Sequence, residues 1–363
     1  MRTITFLQPT RLVFGQGCLE DCVEYVALQA QRRVRVVSSR SMRRVAEELG
    51  SKLTAKGSTV TFDFSIDREP TLAMFAAALA EARAVNANCF VGIGGGSVLD
   101  VAKLLAAFAE SEQKIEESFG IGLLTGRAAH LVCLPTTAGT GSEVSPNAIL
   151  LDEAAKLKKG VISPFLVPDA TFIDPLLTRT VPAAVTAATG LDTLTHCIEA
   201  YTNKFAHPLV DVYALEGVRL CAAYLARAVR DGEDLEAREG MARASLYGGL
   251  CLGPVNTAAV HALAYPLGGE FHLAHGVSNA VLLAAVFRFN LEADVERHAA
   301  VAAALGVAPK GSATQTALAG GRSSGGVGAG VRDFDESGQL WLVSGCSASF
   351  GGQRGYGDAA AAE

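Results

Sequence analysis

The chain has 363 residues, of which 50% are hydrophobic and 19% are charged, and its formal net charge is −6. This length allows about two domains, and the composition is that of a folded protein rather than a disordered one. The slight acidity, without a block of basic residues, argues against a nucleic acid or an anionic membrane surface as the partner. An uninterrupted apolar run of about 18 residues is also missing, so no membrane-spanning helix is expected.

The N-terminal segment and the cysteine pattern favour a cytoplasmic protein. Residues 1–11 have no apolar stretch of the kind that a secretory signal requires. The chain has eight cysteines, and the closest pair, Cys18 and Cys22, lacks the neighbouring Cys or His residues of a zinc-binding pattern. We therefore expect reduced thiols, most of them in the core, in a cytoplasmic protein.

Strand and helix patterns alternate through the first half of the chain. Valine-rich or alternating apolar runs predict strands at 33–38, 58–64, 89–93 and 131–134. Segments with helical spacing lie between them, at 41–56, 71–85 and 98–108. This alternation predicts an α/β domain with a parallel sheet and helices on both faces. In such a domain, ligands bind beyond the carboxyl ends of the strands.

The second half of the chain has a different pattern, which begins after Asp174 and Pro175. Apolar residues recur there with a period of about 3.6 residues, and β-branched runs nearly vanish. Helices are predicted at 181–201, 208–229, 234–252 and 256–264. We therefore expect an α/β domain over residues 1–178 and an all-helical domain over residues 179–308.

Residues 309–363 differ from both domains. This stretch holds 13 of the chain's 38 glycines, and its apolar periodicity is lost in runs such as GGRSSGGVGAG. A Gly/Ser/Ala-rich composition of this kind predicts a poorly ordered tail. An altered terminus, produced by a change of reading frame, is the competing interpretation.

A glycine-rich segment at 92–97 (GIGGGS) closes one predicted strand and opens the next predicted helix. Glycines allow the backbone to contact a pyrophosphate, and a helix N-terminus supplies free N–H groups and a positive dipole. The segment departs from the dinucleotide-binding fingerprint at its last position, where Ser97 replaces a glycine. It is either a phosphate-binding loop or a plain tight turn.

A second loop, at 135–143 (PTTAGTGSE), directly follows the predicted strand 131–134. Its four hydroxyl side chains can hydrogen-bond a polar ligand without adding charge. The alternative is a local turn in which Ser142 caps a helix. Two such loops at two strand ends favour a nucleotide that lies between them.

A possible metal site lies in the helical half. Asp192 and His196 are four residues apart, which places both side chains on one face of a helix. His261 and His275 follow further along the chain. One carboxylate and three imidazoles suit Fe(II) or Zn(II), with positions left open for a substrate oxygen. An Asp–His pair at this spacing is also common as a surface or capping pair, so both interpretations are open.

Taken together, these segments resemble the iron-containing (group III) alcohol dehydrogenases. The shared segments are FLQPTRLVFGQG, GGGS with Asp100 and Lys103, PTTAGTGSE, Asp174-Pro175, ATGLDTLTHCIEAY and VHALAYPLGG followed by HGVSNAVLL. They occur in the family's order over residues 3–307, so the resemblance covers most of the chain. It implies a dinucleotide-binding N-terminal domain, a metal-binding helical domain, and a cleft in which the metal faces the nicotinamide.

The resemblance also assigns site residues. The implied metal ligands are Asp192, His196, His261 and His275. The implied cofactor-binding residues are Ser39, Gly95, Gly96, Ser97, Asp100, Thr136, Thr137, Thr140, Ser142, Lys158 and Thr178. The glycine-rich segment corresponds to the pyrophosphate contacts, and the hydroxyl-rich loop corresponds to the surroundings of the nicotinamide half. No separate catalytic base is assigned, because the chemistry is centred on the metal.

The activity that this family implies is hydride transfer between a small alcohol or aldehyde and NAD or NADP, with Fe(II), or else Zn(II), as the Lewis acid. A homodimer or larger homo-oligomer is expected. One alternative is a reductase of a small oxo-acid or a phosphonate aldehyde on the same scaffold. A second is a non-redox lyase similar to dehydroquinate synthase, and a third is an inactive product whose altered terminus lacks helices of the helical domain.

Two departures from the family concern specificity. Ser39 stands after the second strand, where many NAD-using relatives have an acidic residue that binds the ribose, and Arg40 follows it. We expect NADP to be accepted, because a 2′-phosphate is no longer repelled and an arginine can pair with it. Tyr265 replaces a histidine that several relatives have near the substrate, which puts a proton relay there in doubt. His272 is either its substitute or a solvent-exposed loop residue.

Overall fold

Strands and helices alternate in the first half of the chain, and helices dominate the second half. The computed structural model describes residues 1–29, 33–271 and 273–323, together with two short strands at 331–332 and 341–342. The strands in this part are β1 (Arg11–Phe14), β2 (Arg33–Ser38), β3 (Thr59–Asp63), β4 (Cys89–Gly94), β5 (Gly120–Ile121), β6 (His130–Pro135), β7 (Asn147–Asp152), β8 (Leu157–Ile162), β9 (Ala170–Ile173), β10 (Val331–Arg332) and β11 (Trp341–Leu342). The helices are α1 (Leu19–Ala27), α2 (Arg43–Ala55), α3 (Leu72–Ala84), α4 (Gly96–Phe108), α5 (Ala183–Thr202), α6 (Pro208–Arg230), α7 (Leu235–Leu252), α8 (Ala259–Phe271), α9 (His275–Asn290), α10 (Val295–Ala304) and α11 (Ala313–Ser323).

Six parallel strands form the main sheet, in the order β1-β9-β6-β4-β2-β3. Successive residues of a strand point to opposite faces of the sheet. Phe90 and Leu131 belong to a core formed with α3 and α4, whereas Val91 and Val132 belong to a core formed with α1 and α2. The predicted parallel sheet with helices on both faces is therefore confirmed.

The strand register brings the two predicted ligand-binding loops together. β4 pairs with β6 up to Gly94 and Pro135, so the glycine-rich and hydroxyl-rich loops leave the sheet at the same edge. α4 begins at Gly96, directly after the first of these loops. The carboxyl ends of the two strands and the N-terminus of α4 thus form one end of a crevice, where ligands of parallel sheets bind.

Seven of the described strands escape prediction from the sequence: β1, β5, β7, β8, β9, β10 and β11. β1 and β9 pair with each other at one edge of the main sheet. β7 and β8 form an antiparallel hairpin, and β5 pairs in parallel with β8. β8 (LKKGVI) carries two adjacent lysines, which hide its apolar alternation. β8 matters for the site because one of these two lysines is Lys158, a predicted cofactor-binding residue.

The second half of the chain is a group of helices packed around α5. Leu194 on α5 shares a core with Leu225 from α6 and Leu283 from α9. α9 approaches α5 closely at Gly276, where a Cβ atom would lie 2.1 Å from the carbonyl oxygen of Ala188. The expected α/β part followed by a mostly helical part is therefore confirmed, and the predicted boundary after residue 178 falls between β9 and α5. Among the described helices, none combines the length and the apolar composition needed to cross a membrane.

Part of the segment predicted to be poorly ordered is a packed helix. α11 lies against α10, where a Cβ atom on Gly320 would be 2.4 Å from the Cβ of Ala302, and Ala317 is fully buried. The prediction of a poorly ordered tail from residue 309 is therefore wrong for residues 313–323, because small residues on one face allow close helix packing that composition does not reveal. β10 and β11 pair with each other. The other residues after 323 lie outside the described residues.

Two glycines, one from the α/β part and one from the helical part, lie in direct contact. Gly141, in the hydroxyl-rich loop, has a φ of +62°, and a Cβ atom there would lie 2.3 Å from the Cα of Gly249 on α7. A Cβ atom on Gly249 would lie 2.5 Å from the carbonyl oxygen of Gly141. Neither position has room for a larger residue, so the loop is held directly against the helical part.

We expect Gly141→Ala to reduce the free energy of unfolding by about 3 kcal/mol, because backbone strain adds to a clash with main-chain atoms. Gly122→Ala is the matched control, since Gly122 has a φ of +74° but no atom within 4 Å of where its Cβ would lie. Backbone strain alone predicts a loss of about 1–2 kcal/mol for this control. Urea unfolding measures both changes, and equal losses would contradict the role of the glycine contact.

An ion pair ties the start of β9 to the segment before β6. Arg127 donates two hydrogen bonds to Asp169, at 2.6 and 3.1 Å, and the same carboxylate accepts the N–H of Leu131 at 2.8 Å. Burial by itself raises the pKa of Asp169. These hydrogen bonds and the Arg127 charge outweigh burial and hold the pKa of Asp169 below its ordinary value.

We expect Asp169→Asn to lower the free energy of unfolding by about 2 kcal/mol near neutral pH, because it weakens charged hydrogen bonds. The carboxylate stabilises the fold above its unfolded-state pKa of about 4, and this contribution is lost as the pH falls through the lower folded-state pKa. The difference in urea stability between wild type and variant should therefore shrink below about pH 4. A difference that stays constant in strong acid contradicts this assignment.

Candidate active site

Three helices bring one carboxylate and three imidazoles together. Asp192 and His196 lie one turn apart on α5, His261 lies in the first turn of α8, and His275 is the first residue of α9. Oδ1 of Asp192 is 3.4 Å from Nε2 of His261, 3.6 Å from Nε2 of His275 and 3.7 Å from Nε2 of His196. The rings of His196 and His261 are stacked, with centroids 4.7 Å apart. These four residues are called the metal cluster below.

The atoms of the metal cluster are spaced as ligands around one ion. The ligand atoms of Asp192, His261 and His275 all lie within 4.8 Å of one another. Neighbouring ligands of a tetrahedral site with bonds of about 2.1 Å are about 3.4 Å apart. His196 stands outside this tightest group of three, but its Nε2 approaches the same oxygen of Asp192. One carboxylate and three imidazoles are donors that both Fe(II) and Zn(II) accept, so the residues fit the metal that the resemblance implies.

Burial and mutual charge shift the pKa values in the metal cluster. Burial raises the pKa of Asp192, but the surrounding imidazoles outweigh burial and hold that pKa well below its ordinary value. Burial lowers the pKa of His275 to about 4. Burial also lowers the pKa of His261, but hydrogen bonds to Asp192 and Glu199 outweigh it and raise that pKa to about 9. The cluster therefore holds a carboxylate anion deep in the protein, where a divalent cation would offset its charge.

Two further polar side chains contact the metal cluster and escaped prediction. Oε2 of Glu199 is 2.6 Å from Nδ1 of His261. Asn279 donates a hydrogen bond to Oδ1 of Asp192 at 2.7 Å. Glu199 follows His196 by three residues and Asn279 follows His275 by four, so each shares a helix face with a ligand. A polar residue one turn from a predicted ligand is the signal that could have found both.

A large cleft and a small cavity meet at the metal cluster. The cleft has a volume of about 890 Å³ and is lined by the predicted residues Ser39, Gly95, Gly96, Ser97, Thr137 and Thr140, together with Asp192 and His275. The cavity, of about 160 Å³, is lined by all four residues of the metal cluster and by Gly96, Ser97, Asp100, Thr140, Ser142 and Lys158. Asp192 and His275 line both spaces, so the metal cluster lies where the cleft opens into the cavity.

Two of the predicted cofactor-binding residues lie elsewhere. Thr136 is buried and lines neither the cleft nor the cavity. Thr178 lines a separate space of about 10 Å³, and its hydroxyl donates to the carbonyl oxygen of Pro175 at 2.8 Å. These two predicted residues therefore border neither the cleft nor the cavity.

Ser142 belongs to a buried network rather than to a helix cap. Its hydroxyl donates to Oδ1 of Asp100 at 2.5 Å, and Nζ of Lys103 donates to the carbonyl and the hydroxyl of Ser142 at 2.9 and 3.0 Å. Burial lowers the pKa of Lys103 and raises that of Asp100. The interpretation of Ser142 as a helix cap is wrong, because the next element after it is the strand β7 and not a helix. The network instead holds the hydroxyl-rich loop against α4.

Lys158 and Tyr265 line the small cavity. Nζ of Lys158 is 2.5 Å from a carboxylate oxygen of Glu69. The ring of Tyr265 stacks on that of His275, with centroids 6.0 Å apart. Burial raises the pKa of Tyr265 to about 12, so its hydroxyl stays protonated and neutral at physiological pH. His272, the other residue considered for a proton relay, lies outside the described residues.

Mixed charges lie near the end of β2. Ser39 lines the cleft, as do Asp67 and Arg68 from the segment after β3. The guanidinium of Arg40 is largely exposed and lies 3.9 Å from the carboxylate of Asp67. A positive charge for a 2′-phosphate is therefore present, but Asp67 competes for it.

Two family models together match most of the chain. The model described as iron-containing alcohol dehydrogenase matches residues 9–175. The model described as the C-terminal part of the Fe-containing alcohol dehydrogenase family matches residues 186–320. The second match runs into α11, so the family pattern continues beyond residue 309, where the composition of the chain changes.

Individual relatives agree with the family models. A long-chain-alcohol dehydrogenase 1 from Geobacillus thermodenitrificans (strain NG80-2) is 37% identical over 297 residues, which make up 80% of this chain and 75% of the relative. The crystal structure of a 1,3-propanediol oxidoreductase is similar with a TM-score of 0.85 and 33% identity, over 91% of this chain and 88% of that chain. The structure of NADH-dependent butanol dehydrogenase A from Thermotoga maritima is similar with a TM-score of 0.81 and 25% identity, over 90% of this chain and 83% of that chain. The chain therefore belongs to the iron-containing alcohol dehydrogenase family and is an oxidoreductase that acts on alcohol groups, as the resemblance of its motifs predicts.

Proposed function

We propose that the chain is a metal-dependent alcohol dehydrogenase and aldehyde reductase that transfers a hydride between a small alcohol and NAD or NADP. One observation carries this proposal. Asp192 and His275 of the metal cluster line both the large cleft, with its glycine-rich loop, and the small cavity. A nucleotide bound in the cleft and a substrate bound in the cavity would therefore both border the metal cluster.

The residues of the site have separable tasks in this proposal. Asp192, His196, His261 and His275 would hold Fe(II), with Zn(II) as the alternative for the same donors. When bound, the metal supplies Lewis-acid activation of the alcohol oxygen, and the nicotinamide supplies the hydride acceptor. The glycine-rich loop and the N-terminus of α4 would bind the pyrophosphate through backbone N–H groups.

The small cavity favours a small neutral alcohol. Its volume of about 160 Å³ limits the size of the substrate. Tyr265 keeps its proton and can donate a hydrogen bond into the cavity. The charge of Lys158 is offset by Glu69, so the cavity offers no unpaired cation at this point to an oxo-acid or a phosphonate aldehyde. The similar structures of a 1,3-propanediol oxidoreductase and a butanol dehydrogenase support the same choice over the acidic substrates and over a non-redox lyase.

We also propose that the protein works as a homodimer or larger homo-oligomer in the cytoplasm. Leu209 and Val212, near the start of α6, are 52% and 69% exposed, and neighbouring apolar side chains of this kind often lie in an interface between copies. The seven cysteines in the part of the chain that the structure describes are free thiols. Free thiols are typical of a reducing compartment.

An inactive product with an altered terminus is the remaining alternative. The family match through residue 320 and the packing of α11 support an unchanged reading frame up to that residue. The metal cluster and the predicted cofactor-binding residues all precede this point. Sequencing of the gene across this region decides whether the frame is intact.

We expect His261→Ala to lose its metal during purification and to lose alcohol-dependent NAD reduction, because it removes one imidazole donor from the metal cluster. Elemental analysis and the absorbance of NADH measure the two effects. His207→Ala is the control, since His207 only caps α6 through its Nδ1, and its metal content should match that of the wild type. Full turnover by metal-free His261→Ala would contradict the assignment of the ligands.

We expect the wild type to accept NADP with a kcat/KM within about tenfold of that for NAD, because no carboxylate follows β2 and Arg40 can pair with a 2′-phosphate. Ser39→Asp should lower kcat/KM for NADP by at least about tenfold and leave that for NAD within about threefold. Arg40→Ala, the second variant, should weaken the use of NADP alone. Saturation kinetics with both cofactors measure these effects, and a wild-type preference for NAD above about 100-fold contradicts the expectation.

A further inference from the structure

Glu199 is a buried acid to which the proposed reaction gives no task. It lies on α5, seven residues after Asp192 and three after His196, so these side chains share one face of the helix. Its side chain is only 4% exposed. A carboxylate at this depth requires strong hydrogen-bond partners.

The partners of Glu199 come from the start of α8. Oε2 is 2.6 Å from Nδ1 of His261 and accepts the N–H of Ala258 at 3.0 Å, while Oε1 accepts the N–H of Val260 at 2.6 Å. N–H groups at the start of a helix have no carbonyl partner within that helix. Two backbone N–H groups and the ring of His261 thus converge on one carboxylate, which accepts a hydrogen bond from each of them.

This arrangement selects one tautomer of His261. A metal binds the neutral form of the ring, and in that form a carboxylate that accepts on the Nδ1 side places the one proton on Nδ1 and leaves the lone pair on Nε2. Nε2 is the atom that faces Oδ1 of Asp192 at 3.4 Å. His275 differs, since its Nδ1 is buried without a hydrogen-bond partner.

We propose that Glu199 is a positioning residue of the metal cluster, which holds the ring of His261 so that Nε2 is free to bind the metal. The inference rests on the proposed function, but it concerns metal affinity rather than alcohol chemistry. The same carboxylate fastens the start of α8 to α5, so it also sets the position of His261 relative to the two ligands on α5.

Glu199→Gln tests the proposal in the full chain, after metal has been removed with a chelator. Glutamine keeps the size of the side chain and one oxygen that can accept the N–H groups of α8. It loses the negative charge, and its NH₂ group can donate to Nδ1 of His261, which places the ring proton on Nε2 instead. We expect the Kd for Zn(II), measured by competition with a chromogenic chelator, to rise about 10- to 100-fold. The absorption spectrum of the Co(II)-substituted protein should change as well.

Two further variants separate positioning from general destabilisation. Glu143→Gln is the matched control, because Glu143 is 2% exposed and lines neither the cleft nor the cavity, and its Kd for Zn(II) should stay within about threefold of the wild-type value. Glu199→Asp keeps the anion but shortens the side chain by one methylene. Its Kd should lie between those of the wild type and Glu199→Gln.

Each outcome decides the proposal. A Kd of Glu199→Gln within about threefold of wild type, with an unchanged Co(II) spectrum, overturns it. A lower thermal midpoint of the metal-free variant without a change in Kd also overturns it, because a purely structural role gives that result. If Glu199→Gln does not fold, Glu199→Asp decides instead: a wild-type Kd overturns the proposal, and a weaker one supports it. Failure of the wild type itself to bind Zn(II) or Co(II) counts against the proposed function. This result is distinct from failure of the positioning role, in which the wild type binds the metal and Glu199→Gln binds it equally well.

Discussion

A buried carboxylate, that of Asp192, imposes the main constraint on the helical part of the molecule. An unpaired carboxylate in a protein interior costs several kcal/mol, so the fold must surround it with donors or cations. Three imidazoles face one oxygen of Asp192, and Asn279 donates to the same atom. These groups come from α5, α8 and α9, which must therefore pack in one arrangement. Metal binding and the stability of this packing are coupled through the same charge.

The α/β part presents a different kind of surface to the same cleft. Its contribution consists of glycines, hydroxyl groups and the N-terminus of α4, which bind an anion without a buried cation of their own. A buried hydrogen-bond network holds the hydroxyl-rich loop to α4, and the contact of Gly141 with Gly249 holds that loop to α7. These two connections fix the nucleotide side of the cleft relative to the metal side.

Segments in which apolar residues recur regularly were predicted correctly. Segments whose packing depends on small or charged residues escaped prediction. β2, β4 and β6 alternate between two cores, and α5, α6 and α7 keep the helical period over their full lengths. β8 escaped prediction because its two adjacent lysines interrupt the apolar alternation, although one of them, Lys158, is buried in the fold. α11 escaped because a glycine such as Gly320 is unfavourable in a helix by propensity, yet it allows close contact with Ala302.

The sequence by itself predicted the four residues of the metal cluster through the family resemblance. It also determined the helix face shared by Asp192 and His196, because a spacing of four residues has the same geometry in any helix. Only the tertiary structure decided that His261 and His275 meet them, that Glu199 binds a ring 62 residues away, and that Thr178 lies apart from the cleft. The geometry within one helix depends on residues about one turn apart, and a short sequence pattern includes all of those residues. The choice of distant partners depends on how whole helices pack, and no short-range pattern in one chain specifies that.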